Sequence, residues 1–379
     1  MKEFKNIRSV RICILTSPIG ESGCIPTSNL VDIFTNLSRK VYLITGNYGA
    51  DFFKKYENIE LYGINHIESS SKVSRIIRYI YTQILISLKL KRISHNIDIF
   101  IFFMGADTLV LPMLIAKIFR KKVILVFAGS SSDTLKSSND YLSYPLQILS
   151  RINCSFSDKI VLYSTNLIDE WNLQKYKHKI SISHRHFLDF GKFRIIRHIW
   201  ERDTLIGYVG RLSPEKGSMN FVHSIPLLLQ KNNSLKFILI GDGSLRESIE
   251  KYLQENNLDD FVHIAGWVQH DDLPKYLNNL KLIVLPSYTE GLPNIMIEAM
   301  ACGTPVLATP VGSIPDVIKD KETGFLLNNN SPESIADNVI RAIEYPYLAN
   351  VTIKAKDLVE DEFTINAAIM RYRKIIEDL

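Results

Sequence analysis

The chain has 379 residues, which is more than one compact core usually holds, so its length favours two domains of roughly 150 to 200 residues each. Hydrophobic residues make up 46% of the sequence and charged residues 22%, which excludes a disordered, collagenous or low-complexity protein. The four cysteines form no CxxC pair and are too few for a disulfide framework. They favour a reducing, cytoplasmic setting.

The net charge of +5 conceals a division between the two halves. Residues 1–200 contain 28 Lys+Arg and 15 Asp+Glu, whereas the remainder contains 17 and 25. The halves are therefore expected to meet different partners. The most apolar stretch, 97–119, is interrupted by a Gly-Ala-Asp-Thr segment and is too short on either side to cross a bilayer. The apolar run at 12–15 is shorter than the core of a signal peptide.

Short apolar runs rich in β-branched residues alternate with helical periodicity along the whole chain, which predicts α/β domains with parallel sheets. The predicted strands of the first half are 10–16, 41–45, 97–103, 123–127 and 159–163. Those of the second half are 204–209, 235–240, 261–265, 282–285 and 305–308. Each set predicts one doubly wound, Rossmann-like sheet.

These runs predict an N-terminal domain over 1–190, a linker over 191–202 and a C-terminal domain over 203–360. We expect the last segment, 361–379, to form a helix that packs back on the N-terminal domain. His184 and His186 flank an arginine just before the linker. No third ligand is near in sequence, so an interdomain loop is favoured over a metal site.

The segment 72–93 predicts a basic amphipathic helix, because isoleucines and leucines at helical spacing are mixed with cations. The cations are Arg75, Arg78, Lys89, Lys91 and Arg92. Two interpretations stay open: docking on an anionic membrane surface, or a helix packed on the sheet with a solvated basic face. The charge of the first half favours the membrane. No recognisable nucleic-acid-binding module accompanies the charge, so nucleic acid is not expected as a partner.

The predicted strand 204–209 is followed by Gly210-Arg211-Leu212-Ser213-Pro214-Glu215-Lys216-Gly217 and then by a helix from about residue 218. This order puts Arg211 and Lys216 at the carboxyl edge of a parallel sheet, beside a helix N-terminus that already attracts anions. Two cations there suit a diphosphate. The alternative is a tight strand-to-helix turn with exposed charges.

A second motif is Glu290-Gly291-Leu292-Pro293-Asn294, followed by Glu298 in the next predicted helix. The spacing directs both carboxylates at one crevice, and the N–H groups of 291–294 point toward whatever binds there. Carboxylates suit sugar hydroxyls, because each accepts more than one hydrogen bond. Two glutamates alone would more often be surface charges. The surrounding glycines and prolines favour a site.

These motifs resemble those of the retaining, nucleotide-sugar-dependent glycosyltransferases of family 4, which have the two-domain GT-B fold and an E-x7-E motif. The matching segments occur in family order over about 204–341: residues 210–217, 241–243, 266–268, 290–298, 303–306, 312–316 and 324–326. The resemblance implies two Rossmann-like domains facing a central cleft. It implies an acceptor-binding N-terminal domain and a C-terminal domain that binds a UDP- or GDP-sugar.

The resemblance also implies a role for individual residues. Arg211 and Lys216, in the loop that Gly210 opens, would hold and stabilise the leaving diphosphate. Glu298 would bind the ribose hydroxyls, and Glu290 would contact the donor sugar near its reacting carbon. The backbone of Gly291, Leu292, Pro293 and Asn294 would cap the diphosphate, and Trp267 and Val268 would line the base.

The first half departs from the family pattern. The loop 18–24 lacks the frequent Gly-Gly pair, which leaves Gly23 as the candidate for close backbone approach to a ligand. Where many members have a histidine after the fifth strand, this chain has a Ser-rich segment in which Ser130 or Asp133 is the candidate substitute. No D-x-D triplet occurs, so we expect neither a metal nor another cofactor.

The sequence therefore predicts a retaining, metal-independent glycosyltransferase. Its acceptor would be a glycan or a lipid-linked molecule in cell-surface polysaccharide or glycoconjugate synthesis, and its location cytoplasmic or peripheral on the inner face of the membrane. Two alternatives stay open: a GT-B-shaped epimerase that acts on the nucleotide sugar itself, and a nucleotide-sugar-binding protein without turnover.

Overall fold

The computed structural model describes residues 9–66, 71–128 and 143–379, and the chain divides into two α/β units. The N-terminal unit contains the described residues up to Phe187 and the final segment Ile365–Leu379. The C-terminal unit spans Leu188–Thr364. The residues predicted as a linker, 191–202, therefore belong to the C-terminal unit.

The N-terminal unit is built on a seven-stranded parallel sheet with the order β3-β2-β1-β4-β5-β6-β7. Its strands are β1 Arg11–Pro18, β2 Lys40–Gly46, β3 Ile59–Ile64, β4 Ile99–Phe103, β5 Lys122–Val126, β6 Lys159–Leu162 and β7 Ile180–Ile182. Its helices are α1 Cys24–Leu37, α2 Tyr48–Phe53, α3 Lys72–Ile93, α4 Val110–Ile118, α5 Ser143–Phe156, α6 Asn166–Glu170 and, at the end of the chain, α14 Ile365–Glu377.

Helices cover the central strands of this sheet, which is why these strands read as continuous apolar runs. All five residues of β4 are buried. The final helix completes the unit, because Tyr372 of α14 is fully buried and packs edge-on against Phe34 of α1 with 5.3 Å between ring centroids. An edge-to-face aromatic pair is a favourable geometry for two buried rings.

The C-terminal unit has a six-stranded parallel sheet with the order β10-β9-β8-β11-β12-β13. Its strands are β8 Leu205–Val209, β9 Lys236–Ile240, β10 Val262–Gly266, β11 Leu282–Leu285, β12 Val306–Ala308 and β13 Phe325–Leu326. Its helices are α7 Ser218–Lys231, α8 Arg246–Glu255, α9 Leu273–Leu277, α10 Asn294–Ala301, α11 Ile314–Val317, α12 Pro332–Ile343 and α13 Leu348–Glu362. The helix α12 has a side-chain cap at its N-terminus, since the Ser331 side chain accepts a hydrogen bond from Ser334 N.

Arg202 fixes the irregular start of the C-terminal unit. Its side chain is buried and donates hydrogen bonds to the carbonyl oxygens of Leu277, Leu280 and Cys302 at 3.2, 3.0 and 2.6 Å. A buried guanidinium is tolerated when its N–H groups are satisfied in this way. The segment before β8 is therefore anchored to the ends of α9 and α10.

In the parts of the chain that the structure describes, every helix is too short or too polar to span a bilayer.

Candidate active site

The candidate residues of the second half lie where the strand order of the C-terminal sheet reverses. The strands β8 and β11 are neighbours there, while the chain has passed through β9 and β10 on the other side. Ligands of open α/β sheets bind in the crevice at the carboxyl ends of such strands. The loop after β8 contains Arg211 and Lys216, and the loop after β11 contains Glu290.

The two loops are packed directly against each other. Gly217 has a φ of +66°, and a Cβ at this position would lie 2.1 Å from the carbonyl oxygen of Pro286. The N–H of Tyr288 donates to the carbonyl oxygen of Glu215 at 2.9 Å. Only glycine combines this backbone conformation with this approach. Gly217 therefore fixes the distance between the cationic loop and the loop of Glu290.

Lys216 and Glu290 form an ion pair across these loops. The Lys216 Nζ lies 2.6 Å from Glu290 Oε1, and the Ser287 hydroxyl donates to the same oxygen at 2.8 Å. The Glu290 side chain is 11% exposed and that of Lys216 is 27% exposed. The carboxylate is thus oriented by two donors on one oxygen, and the ammonium retains further N–H donors for a second partner.

Arg211 is more exposed than Lys216, the other cation of this loop. Its Nη1 lies 3.4 Å from Glu215 Oε1, and Glu215 also accepts a 2.7 Å hydrogen bond from the Ser213 hydroxyl. The buried Tyr208 hydroxyl donates to the Arg211 carbonyl oxygen at 2.7 Å and fixes the backbone of the loop. An ion pair of this length with a solvent-exposed guanidinium contributes little stability. The guanidinium can therefore exchange Glu215 for a bound anion at small cost.

Glu298 lies in α10 and is almost completely buried, with 6% of its side chain exposed. Its Oε1 lies 2.8 Å from Nε2 of His270, which follows β10. The ring of His270 packs against Phe193 with 5.2 Å between centroids, and the neighbouring Asp271 forms an ion pair with Lys192. Sequence reasoning missed His270, because no spacing links it to Glu298.

The backbone at Gly312 packs closely against the turn between Glu290 and α10. This glycine has a φ of +58°, and a Cβ there would lie 2.0 Å from the Glu290 carbonyl oxygen. The N–H of Ser313 donates to the Gly291 carbonyl oxygen at 2.8 Å. Leu292 is buried, and Pro293 precedes α10, which begins at Asn294 without a side-chain cap. The first turn of α10 thus has no side-chain acceptor for its N–H groups, which suits an anionic ligand.

Trp267 and Val268 lie just beyond β10, on the same side of the unit as His270. They line a cavity of about 520 Å³ together with polar side chains that include Gln269, Asp272 and Tyr276. Trp267 is 63% exposed, so its ring is available for stacking. Gly210 directly follows β8, and its N–H donates to the Ile240 carbonyl oxygen at 2.9 Å. Their roles toward a nucleotide stay predictions.

Packing within the N-terminal unit leaves no room for a side chain at Gly23. It is buried at the start of α1, and a Cβ there would lie 2.9 Å from the Ile19 Cβ and 3.4 Å from the Met104 Cε. Its close approach to a ligand stays a prediction. Ser130 and Asp133, the candidate substitutes for the family histidine, lie outside the described residues.

Of the two histidines before the linker, His186 is buried in the N-terminal unit and His184 is half-buried. Arg371 of α14 contacts Nδ1 of His184 at 3.3 Å, and the ring of His186 packs edge-on against Tyr163. Burial, reinforced by Arg371 and Arg185, lowers the pKa of His184 to about 3. Within residues 9–66, 71–128 and 143–379, no three His, Cys, Asp or Glu side chains are grouped as metal ligands.

The two doubly wound α/β domains define the GT-B fold. A crystal structure of HepE from Anabaena in complex with UDP matches with a TM-score of 0.78 at 16% identity, covering 98% of this chain and 100% of that chain. A second HepE structure, in complex with UDP-glucose, matches with a TM-score of 0.76 at 15% identity over 97% of this chain and 100% of that chain. At this level of identity the likeness establishes the fold alone.

Residues 190–358, which make up most of the C-terminal unit, match the family model described as glycosyl transferases group 1. The 2-deoxystreptamine N-acetyl-D-glucosaminyltransferase of Niallia circulans is 31% identical over 136 residues, which are 36% of this chain and 35% of that protein. The capsular polysaccharide biosynthesis glycosyltransferase CapM of Staphylococcus aureus is 30% identical over 142 residues, 37% of this chain and 36% of that protein. The chain matches less than half the length of these relatives.

Proposed function

We propose that the protein is a retaining glycosyltransferase that moves a sugar from a nucleotide diphosphate to a glycan or lipid-linked acceptor. The observation that carries the proposal is the arrangement of Lys216, Glu290 and Glu298 around the strand reversal of a group 1 glycosyl transferase domain. UDP and UDP-glucose complexes of HepE support a nucleotide-sugar donor. CapM supports a role in cell-surface polysaccharide synthesis.

Arg211 and Lys216 would stabilise the departing diphosphate. Negative charge develops there as the bond to the sugar breaks, and fixed cations stabilise it more in the transition state than in the bound donor. Lys216 can contact the diphosphate without leaving Glu290, since an ammonium has three N–H donors. We propose that these cations replace a metal ion, in agreement with the lack of a D-x-D triplet.

Glu290 and Glu298 would bind different parts of the donor. Glu298, buried and held by His270, would accept hydrogen bonds from the ribose hydroxyls. Glu290 would lie near the reacting carbon, where a carboxylate favours an oxocarbenium-like transition state. Retention requires that the acceptor oxygen attack from the face that the diphosphate leaves.

The proposed acceptor binds the N-terminal domain and is lipid-linked or close to a membrane. The basis is charge: residues 1–200 contain 28 cations and 15 acids, and an anionic leaflet attracts such a domain. The protein would then act in the cytoplasm, peripherally on the inner face of the membrane.

A product assay separates this function from its alternatives. The full chain is incubated with UDP- and GDP-sugars that raise its melting temperature, with and without membrane lipid extract as acceptor source. A transferase releases the nucleotide diphosphate and labels the acceptor only when both substrates are present. Conversion of the sugar without acceptor would identify an epimerase, and binding without release of nucleotide would identify a non-catalytic protein.

A further inference from the structure

The outward face of α3 is apolar. Seven large apolar residues of this helix are each between 43% and 67% exposed. They are Val73, Ile76, Ile77, Ile80, Tyr81, Ile84 and Leu88. The positions recur at intervals of three and four, so they form one stripe that runs for about 22 Å along the helix. An exposed apolar stripe of this size indicates an interaction surface, covered either by another protein or by a membrane.

The inward side of α3 contains polar residues whose groups are already bonded. The Tyr79 hydroxyl donates to the Thr108 carbonyl oxygen at 2.7 Å, and Gln83 Oε1 accepts from the N–H of Leu111 at 3.0 Å. The Thr82 hydroxyl lies 2.7 Å from Nδ1 of His66. These bonds fix the rotation of the helix on the N-terminal unit. The helix thus presents its apolar stripe to solvent together with the exposed cations Lys91 and Arg92, a combination that a solvated basic face alone does not explain.

Charge identifies what covers the stripe. Beyond its first residue, Lys72, the helix contains five cations and no acidic residue: Arg75, Arg78, Lys89, Lys91 and Arg92. Lys91 and Arg92 are exposed at the C-terminal end of the stripe. On the adjacent helix α4, Ile118 is also exposed and is followed by the exposed Arg120. A second copy of the same face would bring like charges together. An anionic lipid surface satisfies both the apolar stripe and its cationic border.

We propose that α3 lies in the plane of an anionic bilayer, with its apolar stripe inserted at the boundary between headgroups and acyl chains. This inference rests on the proposed function, which puts the protein at the inner face of the membrane, and it says which surface makes the contact. It assigns the contact to named apolar side chains, with the cations holding the anionic headgroups beside them. Its test uses no donor and no acceptor, so its failure is distinct from a failure of glycosyl transfer.

The test is sedimentation of the full chain with vesicles of phosphatidylcholine alone or with 30 mol% (about one third) phosphatidylglycerol. The variant I77Q/I84Q/L88Q removes the centre of the stripe and leaves every cation in place. The variant K91Q/R92Q removes the exposed cations and leaves the stripe. Since all five side chains are exposed, both variants are expected to keep the melting temperature of the wild type.

We expect the wild type to bind the anionic vesicles at least about tenfold more than the neutral ones. Each variant should lose about tenfold or more of that binding. The matched control is I182Q/I353Q, which places the same substitution at two other exposed isoleucines and should bind as the wild type does.

Three results would overturn the proposal. The first is a wild type without vesicle binding, and the second is a stripe variant that binds as well as the control. The third is a wild type that sediments as a dimer in velocity centrifugation while the stripe variant is a monomer, because the stripe would then be covered by a second copy.

Discussion

His270 Nε2 lies 2.8 Å from Glu298 Oε1. The carboxylate of α10 that is expected to bind the donor ribose is therefore held by a residue of the loop that follows β10. One carboxylate oxygen is used in this bond, and the other stays available for a sugar hydroxyl. His270 thus acts as a positioning residue: it limits the rotation of a side chain that has little other freedom in its buried surroundings.

We predict that His270→Ala weakens donor binding by about fivefold to tenfold, because Glu298 loses its fixed orientation and one hydrogen bond. Titration calorimetry with the donor found by thermal shift measures the change. His263→Gln is the control, since it alters another exposed histidine of the same β10 region. His270→Gln should recover part of the affinity through its amide N–H. Unchanged affinity in His270→Ala would contradict the positioning role.

Glu298 and Glu290 should differ in which kinetic constant they change. Glu298→Ala should weaken donor binding, because the ribose loses its acceptor, while Glu290→Gln should mainly lower kcat, because the amide lacks the charge near the reacting carbon. Calorimetry and steady-state kinetics on both variants test this. Equal donor affinity in Glu298→Ala and the wild type would refute the ribose assignment.

If Arg211 and Lys216 neutralise the diphosphate, the reaction needs no metal ion. Activity should persist in excess EDTA, and Lys216→Ala should lower kcat by on the order of 10²-fold or more, as when a preorganised stabilising group is lost. Arg211→Ala should have a similar effect. Lys231→Ala is a matched control, because this lysine lies at the far end of α7 and pairs with Asp337 of α12. Loss of activity on chelation that magnesium or manganese restores would show that a metal neutralises the diphosphate.

The central strands could be predicted from sequence because burial on both faces makes them uninterrupted apolar runs. The predicted strand 282–285 coincides with β11, and α3 has the predicted bounds. The edge strands β3, β7 and β13 were missed, since β3 is partly exposed and β7 and β13 have only three and two residues. Edge strands lack the continuous pattern that identifies central ones.

Two features of the surface and site required the three-dimensional structure. The amphipathic period of α3 is visible in sequence, but apolar residues occur around much of the helix, so the period does not say which stripe faces the sheet. The hydrogen bonds of Tyr79 and Gln83 decide it. His270 likewise meets Glu298 only because β10 and α10 converge at the same edge of the sheet. No local pattern encodes that contact.

Gly312 offers a test of how the Glu290 turn is supported. Gly312→Ala introduces a Cβ 2.0 Å from the Glu290 carbonyl oxygen at a φ of +58°, so backbone must shift. The left-handed conformation alone costs about 1 to 2 kcal/mol for a residue with a side chain. We expect a lower melting temperature and weaker donor binding. Gly20→Ala is the control, because its Cβ would have open space; equal effects of the two changes would contradict this account.

His184 predicts a pH dependence of the N-terminal unit. Its pKa falls from an ordinary 6.5 to about 3 on folding, because burial and two nearby arginines disfavour the charged ring. The unfolded chain therefore binds a proton below pH 6.5 that the folded unit does not. The contribution to stability is complete above pH 6.5 and declines as the pH falls toward 3, by about 1.4 kcal/mol per pH unit.

Hydrogen exchange of the β6 and β7 amides at pH 7.0 and 5.0 measures this decline within the N-terminal unit alone, after correction for the intrinsic exchange rate. We expect protection to fall between these pH values in the wild type and to fall less in His184→Gln, which cannot take up a proton but keeps an acceptor for Arg371. His178→Gln, a change at an exposed histidine, should follow the wild type. Identical pH dependence in His184→Gln and the wild type would show that another group causes the loss of protection, because the linkage requires the titrating ring itself.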